Sequence, residues 1–140
     1  VITYVDTSSL IKLIVDEEGS ERAELIWRSA DSVASVSLVV VEARAALAAA
    51  ERARRLSVAQ SRVAKTELAA FVDDLHLVEV TEELIERAAQ LAETESLRGF
   101  DAVHLATALF VSAAVLTSAD RALCEAAERQ GLHIADPLTA

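Results

Sequence analysis

Val1-Ile2-Thr3-Tyr4-Val5-Asp6-Thr7-Ser8-Ser9-Leu10 begins as a β-branched run, meets an acid, and continues into hydroxyls and an apolar residue. A buried strand that feeds a helix through polar capping residues has this form. Far down the chain, Val115-Leu116-Thr117-Ser118-Ala119-Asp120 again passes from strand formers through a hydroxyl to an acid. Two such junctions, each with an aspartate just past the strand, predict a parallel α/β sheet whose carboxyl edge carries a site.

The sequence between them alternates in the same way. Leu10, Leu13 and Ile14 predict a helix reaching Gly19, and Ala23, Ile26 and Trp27 a second one ending near Ser29 to Asp31. Val33 to Val36 reads as a strand. Ser37 is placed to cap an Ala-rich helix through about Arg55, and Ser57 with Gln60 resembles a capping box for the next, to about Leu75. Leu77, Val78 and Val80 predict a third strand. Thr81 to about Ser96 reads as a helix, Gly99 as a break and Phe100 to about Ala113 as another helix. Val115 to Thr117 makes the fourth strand. Ala119 to about Gln130 forms the last helix, stopped by Gly131, before a short strand at Leu132 to Ile134 and then Pro137. The alternation predicts one α/β domain over residues 1–140: a central parallel sheet with helices on both faces. No repeat, low-complexity tract or linker interrupts it.

At 140 residues the chain is long enough for a single core and too short for two ordinary domains. Hydrophobic residues make up 53%, yet no apolar run approaches the ~20 residues that span a bilayer, and the start carries an acid in place of a basic leader. A soluble, cytoplasmic protein is expected. The single Cys124 permits no internal disulfide and reads as a packed thiol.

A formal net charge of −10 argues against a simple sequence-independent nucleic-acid binder. Its distribution changes that conclusion. Arg44, Arg52, Arg54, Arg55, Arg62 and Lys65 face only Glu51 between residues 44 and 65, a local balance of +5. This segment is either an RNA clamp or the solvated tip of a helical hairpin.

Four acids remain: Asp6, Glu42, Asp101 and Asp120. Asp6 and Asp120 follow strands, where an acid also serves as a helix N-cap worth about 1 kcal/mol. Asp101 opens a helix, and Arg98 could give it a weak surface pair. Glu42 shares a helix face with Leu38, Val39, Ala45 and Ala46, with no Lys or Arg three or four residues away. A carboxylate there must be protonated, paired from elsewhere or bound to a cation. If the four converge, each close pair repels by about 4 kcal/mol at an effective dielectric of 20. The set then needs a cation or shared protons, and for a cation, oxygen ligands without a His/Cys cluster favour Mg²⁺ or Mn²⁺. Divalent-metal phosphodiester hydrolysis follows. Ser118 is a secondary candidate for positioning water or a ligand. His104 reads as a packed or hydrogen-bonded helix histidine.

These segments together resemble PIN-domain ribonucleases, specifically the VapC toxins of type II toxin–antitoxin systems. The resemblance rests on Val5-Asp6-Thr7-Ser8-Ser9-Leu10, the helix bearing Glu42, Asp101-Ala102-Val103-His104-Leu105-Ala106-Thr107-Ala108, and Val115 through Asp120. Their order and spacing cover nearly the whole chain. The missing Met at position 1 suggests trimming and removes nothing from the motif. The resemblance implies a three-layer PIN-like fold and an acidic quartet of Asp6, Glu42, Asp101 and Asp120, with Ser118 where Thr or Ser commonly precedes the last Asp. It further implies a Mg²⁺- or Mn²⁺-dependent endoribonuclease, a homodimer and inhibition by a cognate VapB-like antitoxin. A separate hypothesis has Arg52, Arg54, Arg55 and Arg62 guide RNA toward the acidic pocket, with Arg44 open between phosphate contact, pairing beside Glu42 and bracing a dimer. The competing reading is a noncatalytic module that binds an antitoxin-like protein while the acids merely cap and pair. A haloacid-dehalogenase phosphatase fits less well, because Ser8 stands where a second Asp is needed. A response-regulator receiver lacks its acidic pair and its late Lys.

Overall fold

The computed structural model describes residues 1–139. Five strands, β1 (Ile2–Val5), β2 (Ser32–Val36), β3 (His76–Val78), β4 (Val115–Thr117) and β5 (His133–Ala135), form one sheet in the order β3-β2-β1-β4-β5. Every pairing is parallel. Seven helices connect them: α1 (Thr7–Lys12), α2 (Ser20–Ser29), α3 (Val39–Arg52), α4 (Val58–Asp74), α5 (Glu82–Thr94), α6 (Gly99–Phe110) and α7 (Arg121–Arg129).

Successive strand side chains point to opposite faces, and β1 shows how this builds two cores. Tyr4 joins Leu84, Leu91, Leu105, Leu116 and Leu123 under α5, α6 and α7. Its neighbour Val5 joins Leu10, Val39, Leu47 and Leu68 under α1, α3 and α4. The expected three layers are present. Because β1 lies between β2 and β4, the chain winds outward on one side and then on the other. The carboxyl ends of β1 and β4 therefore flank the point where strand order reverses, where open α/β sheets place ligands.

Several boundaries differ from the sequence expectation for identifiable reasons. The first helix ends at Lys12, because Leu13 and Ile14 donate to carbonyls only three residues back and the chain tightens out of the helix. Ser37 caps nothing: the N-cap of α3 is Leu38, with no side-chain bond, and Ser37 instead donates its backbone N–H to Val78 across the sheet edge. Gly99 is the first residue of α6, which Arg98 precedes in extended conformation. The α3 helix stops at Arg52, before Arg54 takes a left-handed φ of 60° in the hairpin turn. The capping box of Ser57 and Gln60 is present, and Thr81 caps α5 through Leu84 N.

Candidate active site

Asp6 leaves β1 and becomes the N-cap of α1, where its Oδ1 accepts from the backbone N–H of Ser9 at 3.0 Å. Ser8 Oγ donates to the same oxygen at 2.8 Å, and Ser118 Oγ, arriving from the end of β4, donates to Oδ2 at 2.6 Å. The side chain is 4% exposed and no cation among the described residues pairs with it. Burial pushes its pKa up, opposed by the nearby His104 and by these three donors. Hydrogen bonds orient the carboxylate without neutralising it. An isolated carboxylate in a buried position is costly unless a cation or proton joins it.

Ser118 ties this acid to the next one. While donating to Asp6, its Oγ accepts the backbone N–H of Asp120 at 2.9 Å. A second hydroxyl acts in parallel, since Ser8 Oγ donates to Asp6 and accepts from Ala119 N at 2.9 Å. The two strand ends are thus bridged twice. Asp120 caps α7 through Oδ1 to Leu123 N at 3.0 Å, which leaves Oδ2 to receive Arg98 Nη2–H at 2.9 Å. Arg98 Nε–H donates to Asp101 Oδ2 at 3.1 Å, so one guanidinium joins the first turn of α6 to the start of α7. The expected surface pair of Arg98 with Asp101 is therefore present, and its reach to Asp120 is an addition. Asp101 and Asp120 share a cation, whereas Asp6 has none among the described residues.

Glu42 is held from elsewhere in the chain. Its Oε1 accepts from Thr7 Oγ1 at 2.7 Å and from His104 Nε2 at 2.8 Å. Burial raises its pKa, but the bonds from His104 and Thr7 outweigh burial and leave it below the usual carboxylate range. His104 is itself positioned by Tyr4, whose hydroxyl lies 2.7 Å from Nδ1 and accepts Val36 N–H at 3.2 Å. With Val36 donating to the phenol oxygen, the Tyr4 proton is free for Nδ1, and Nε2 carries the hydrogen that reaches Glu42. With Nε2 donating to Glu42 and Nδ1 facing the Tyr4 hydroxyl, all three contacts are satisfied.

The family model for the PIN domain matches residues 3–129 of this chain. The chain belongs to the PIN-domain family. It is 38% identical to "Ribonuclease VapC45" of Mycobacterium tuberculosis over 136 residues, 96% of this chain and 94% of that protein. Among solved structures it resembles FitAcB from Neisseria gonorrhoeae, with a TM-score of 0.75, 18% identity and 99% coverage of both chains. A toxin–antitoxin complex from Klebsiella pneumoniae matches with a TM-score of 0.64 and 17% identity, over 84% of this chain and 86% of that one. Divalent-metal dependence is general among PIN-domain ribonucleases.

In this PIN domain the donor set suits such an ion by chemistry: four carboxylates, hydroxyls close by, and a buried aspartate with no cation. As the side chains stand, no three acidic, His or Cys groups among the described residues converge enough to enclose one ion. Arg98 holds two of the acids. The basic residues divide. Arg44 lies two residues past Glu42, but Arg52 is ten residues along α3, about 15 Å by helical rise, with Arg54 and Arg55 in the turn beyond and Arg62 on α4. All five arginines are exposed, and none makes an ion pair among the described residues.

Sequence reasoning left out Thr7, Ser8 and Tyr4. The hydroxyl run after Asp6 was the available signal for the first two. Nothing local marks Tyr4, whose partner lies 100 residues away. Thr107, on the same helix as Asp101 and His104, spends its hydroxyl on Val103 O within α6.

Proposed function

We propose that this PIN domain, acting as one unit over residues 1–140, is an endoribonuclease toxin of the VapC kind. It hydrolyses RNA phosphodiester bonds with Mg²⁺ or Mn²⁺. One observation carries the reading: the buried Asp6, without a cation partner among the described residues, is joined through Ser118 to Asp120 at the point where strand order reverses. The relation to a curated VapC ribonuclease along nearly the whole chain supports it.

Asp6, Asp101 and Asp120 would hold the cation, with Glu42 binding it or orienting the attacking water. The bound ion would supply Lewis acidity toward a phosphoryl oxygen and offset the charge of the substrate. Ser118 and Ser8 keep the Asp6 oxygens aimed, and Thr7 with His104 fixes the Glu42 rotamer, so the residues are set before substrate arrives. The hairpin arginines Arg52, Arg54, Arg55 and Arg62, with Arg44 nearer the acids, would bind backbone phosphates.

A cognate VapB-like antitoxin would neutralise the enzyme. A groove of about 540 Å³ beside the end of α1, lined in part by Leu13, Ile14, Trp27 and Phe71, offers room for its tail. Ile85 on α5 and Phe110 on α6 are exposed apolar side chains that a homodimer would cover. No helix among the described residues is long and apolar enough to cross a membrane, and the site of action proposed is the cytoplasm.

The test is cleavage of a cellular RNA pool by partner-free protein with Mg²⁺, Mn²⁺ or EDTA, beside Asp6→Ala prepared identically. Metal-dependent cleavage lost in the variant is expected. Folded wild type that binds no divalent metal and cleaves nothing would overturn the proposal in favour of the noncatalytic module, a reading that the Arg98 pairing of two acids favours.

A further inference from the structure

Arg98 is an unusual partner for two residues of an acidic site. Its side chain is 80% exposed, while Asp101 and Asp120 are 14% and 27% exposed, so the arginine reaches inward from solvent to cover them. It takes Oδ2 of each carboxylate, and the remaining Asp120 oxygen is committed to capping α7. On Asp120 that is the oxygen left for a cation, and the guanidinium charge already stands between the two carboxylates. No backbone or packing constraint secures the guanidinium: Arg98 is the N-cap of α6 without a side-chain cap bond, and its contacts with acids are the only hydrogen bonds its side chain makes among the described residues. Exposed pairs of this kind are weak and easily exchanged.

We propose that Arg98 is a displaceable internal counter-cation and a phosphate-binding residue of the same site. In the metal-free protein it bridges Asp101 and Asp120. When those carboxylates turn to a divalent cation the guanidinium is released, and it binds a phosphate of the RNA strand in place of the acids. The inference rests on the metal-dependent function proposed for this site. The planar fork of arginine suits both partners, because it offers parallel donors to two carboxylate oxygens or to two oxygens of one phosphate. The arrangement divides the acid set: Arg98 holds the two outer members together without metal, while Asp6 stays fixed by hydroxyls and keeps its demand for a cation.

Two readouts test this. The first is Mn²⁺ binding by calorimetry, without RNA, to wild type, Arg98→Ala and Arg98→Lys. Removing a competitor that makes two exposed pairs should tighten Mn²⁺ binding of Arg98→Ala by about 3- to 10-fold, with Arg98→Lys between the two. The second is RNA cleavage at saturating Mn²⁺, where kcat/KM of Arg98→Ala should fall about tenfold although metal is bound more tightly, with partial recovery in Arg98→Lys. Unchanged or weaker Mn²⁺ binding in Arg98→Ala overturns the proposal, and so does undiminished cleavage at saturating metal. Wild type that binds and cleaves while either Arg98 result fails removes this inference alone. Wild type that binds no Mn²⁺ removes the metal reading and this inference with it.

Discussion

Asp6 and Asp120 follow the ends of neighbouring parallel strands, and each caps the helix that comes next, yet they meet opposite electrostatic surroundings. Asp6 lies inside, with three hydrogen-bond donors and, among the described residues, no cation. Asp120 lies toward solvent and holds a guanidinium. Capping alone calls for a carboxylate oxygen and a backbone N–H, and Asn or Ser meets that need as well. Only the inner aspartate raises the energy of the empty protein by being charged. Stability and function should therefore be opposed at Asp6 and separable at Asp120.

The largest effect should come from Asp6→Asn. Cleavage is expected to fall at least ~100-fold, the scale of losing a preorganised charged group in a site. The metal-free protein should nevertheless melt a few degrees higher at pH 7. The folded state raises the Asp6 pKa through burial, so it holds that proton more tightly than the unfolded chain does. Stability from this group is fully present below the ordinary carboxylate value, about 3.9, and is lost as pH rises above it toward the folded value. The gap between variant and wild type should therefore widen from about pH 4 upward and nearly close below it. Asp120→Asn keeps its cap and should show no such gain. Equal melting shifts in the two variants at pH 7 would erase the contrast between the two aspartates.

A second break targets the side chains that hold Glu42. His104→Phe leaves Glu42 Oε1 with Thr7 alone and removes the acceptor of the Tyr4 hydroxyl. Depriving buried polar groups of a partner costs about 1–3 kcal/mol, readable in urea unfolding. Cleavage should drop about tenfold as the Glu42 rotamer loosens. If Tyr4→Phe made in the His104→Phe background costs as much as it does alone, the two residues are not coupled and the relay through Nδ1 is wrong.

These two regions also differ in how far the sequence discloses them. The junctions at Asp6 and Asp120 were readable because strand formers, hydroxyls and an acid are contiguous, and the parallel sheet followed from repeated alternation. The end of α1 was not readable: Ile14 and Val15 pack against the second core from outside the helix, so their apolar spacing continues the pattern while the backbone does not. Glu42 could be identified as lacking a local cation, but its partner His104 sits 62 residues away and no spacing points to it. Arg98 was legible toward Asp101, three residues on, and silent toward Asp120, because that pairing exists only once α6 and α7 pack side by side.

A smaller effect is expected at the hairpin tip, which joins neither half of the acid set. Charge reversal at Arg52, Arg54 and Arg55 should weaken RNA binding and flatten its salt dependence by roughly 0.7 in slope for each phosphate that is no longer neutralised. The tip stands about 15 Å along α3 from Glu42, so the chemical step at saturating RNA should be untouched. A change in turnover with no change in salt slope would place these arginines in some role other than phosphate binding.

The smallest expected effect is the most diagnostic for the outer acids. Arg98→Ala should melt only a few degrees below wild type in the absence of metal, the scale of the competition its pairs offer to Mn²⁺, because a largely exposed guanidinium is screened by water and salt. Two hydrogen-bonded ion pairs seen in a structure would ordinarily be counted as stabilising. Here the carboxylates they serve are partly exposed and Asp120 keeps its helix cap, so water can replace the guanidinium without leaving a buried group unpaired. A drop well beyond a few degrees would mean that Arg98 braces α6 against α7 as a structural clamp. The outer half of the site would then be as fixed as the inner half, and the distinction between a rigid buried aspartate and a pair of exchangeable ones would disappear.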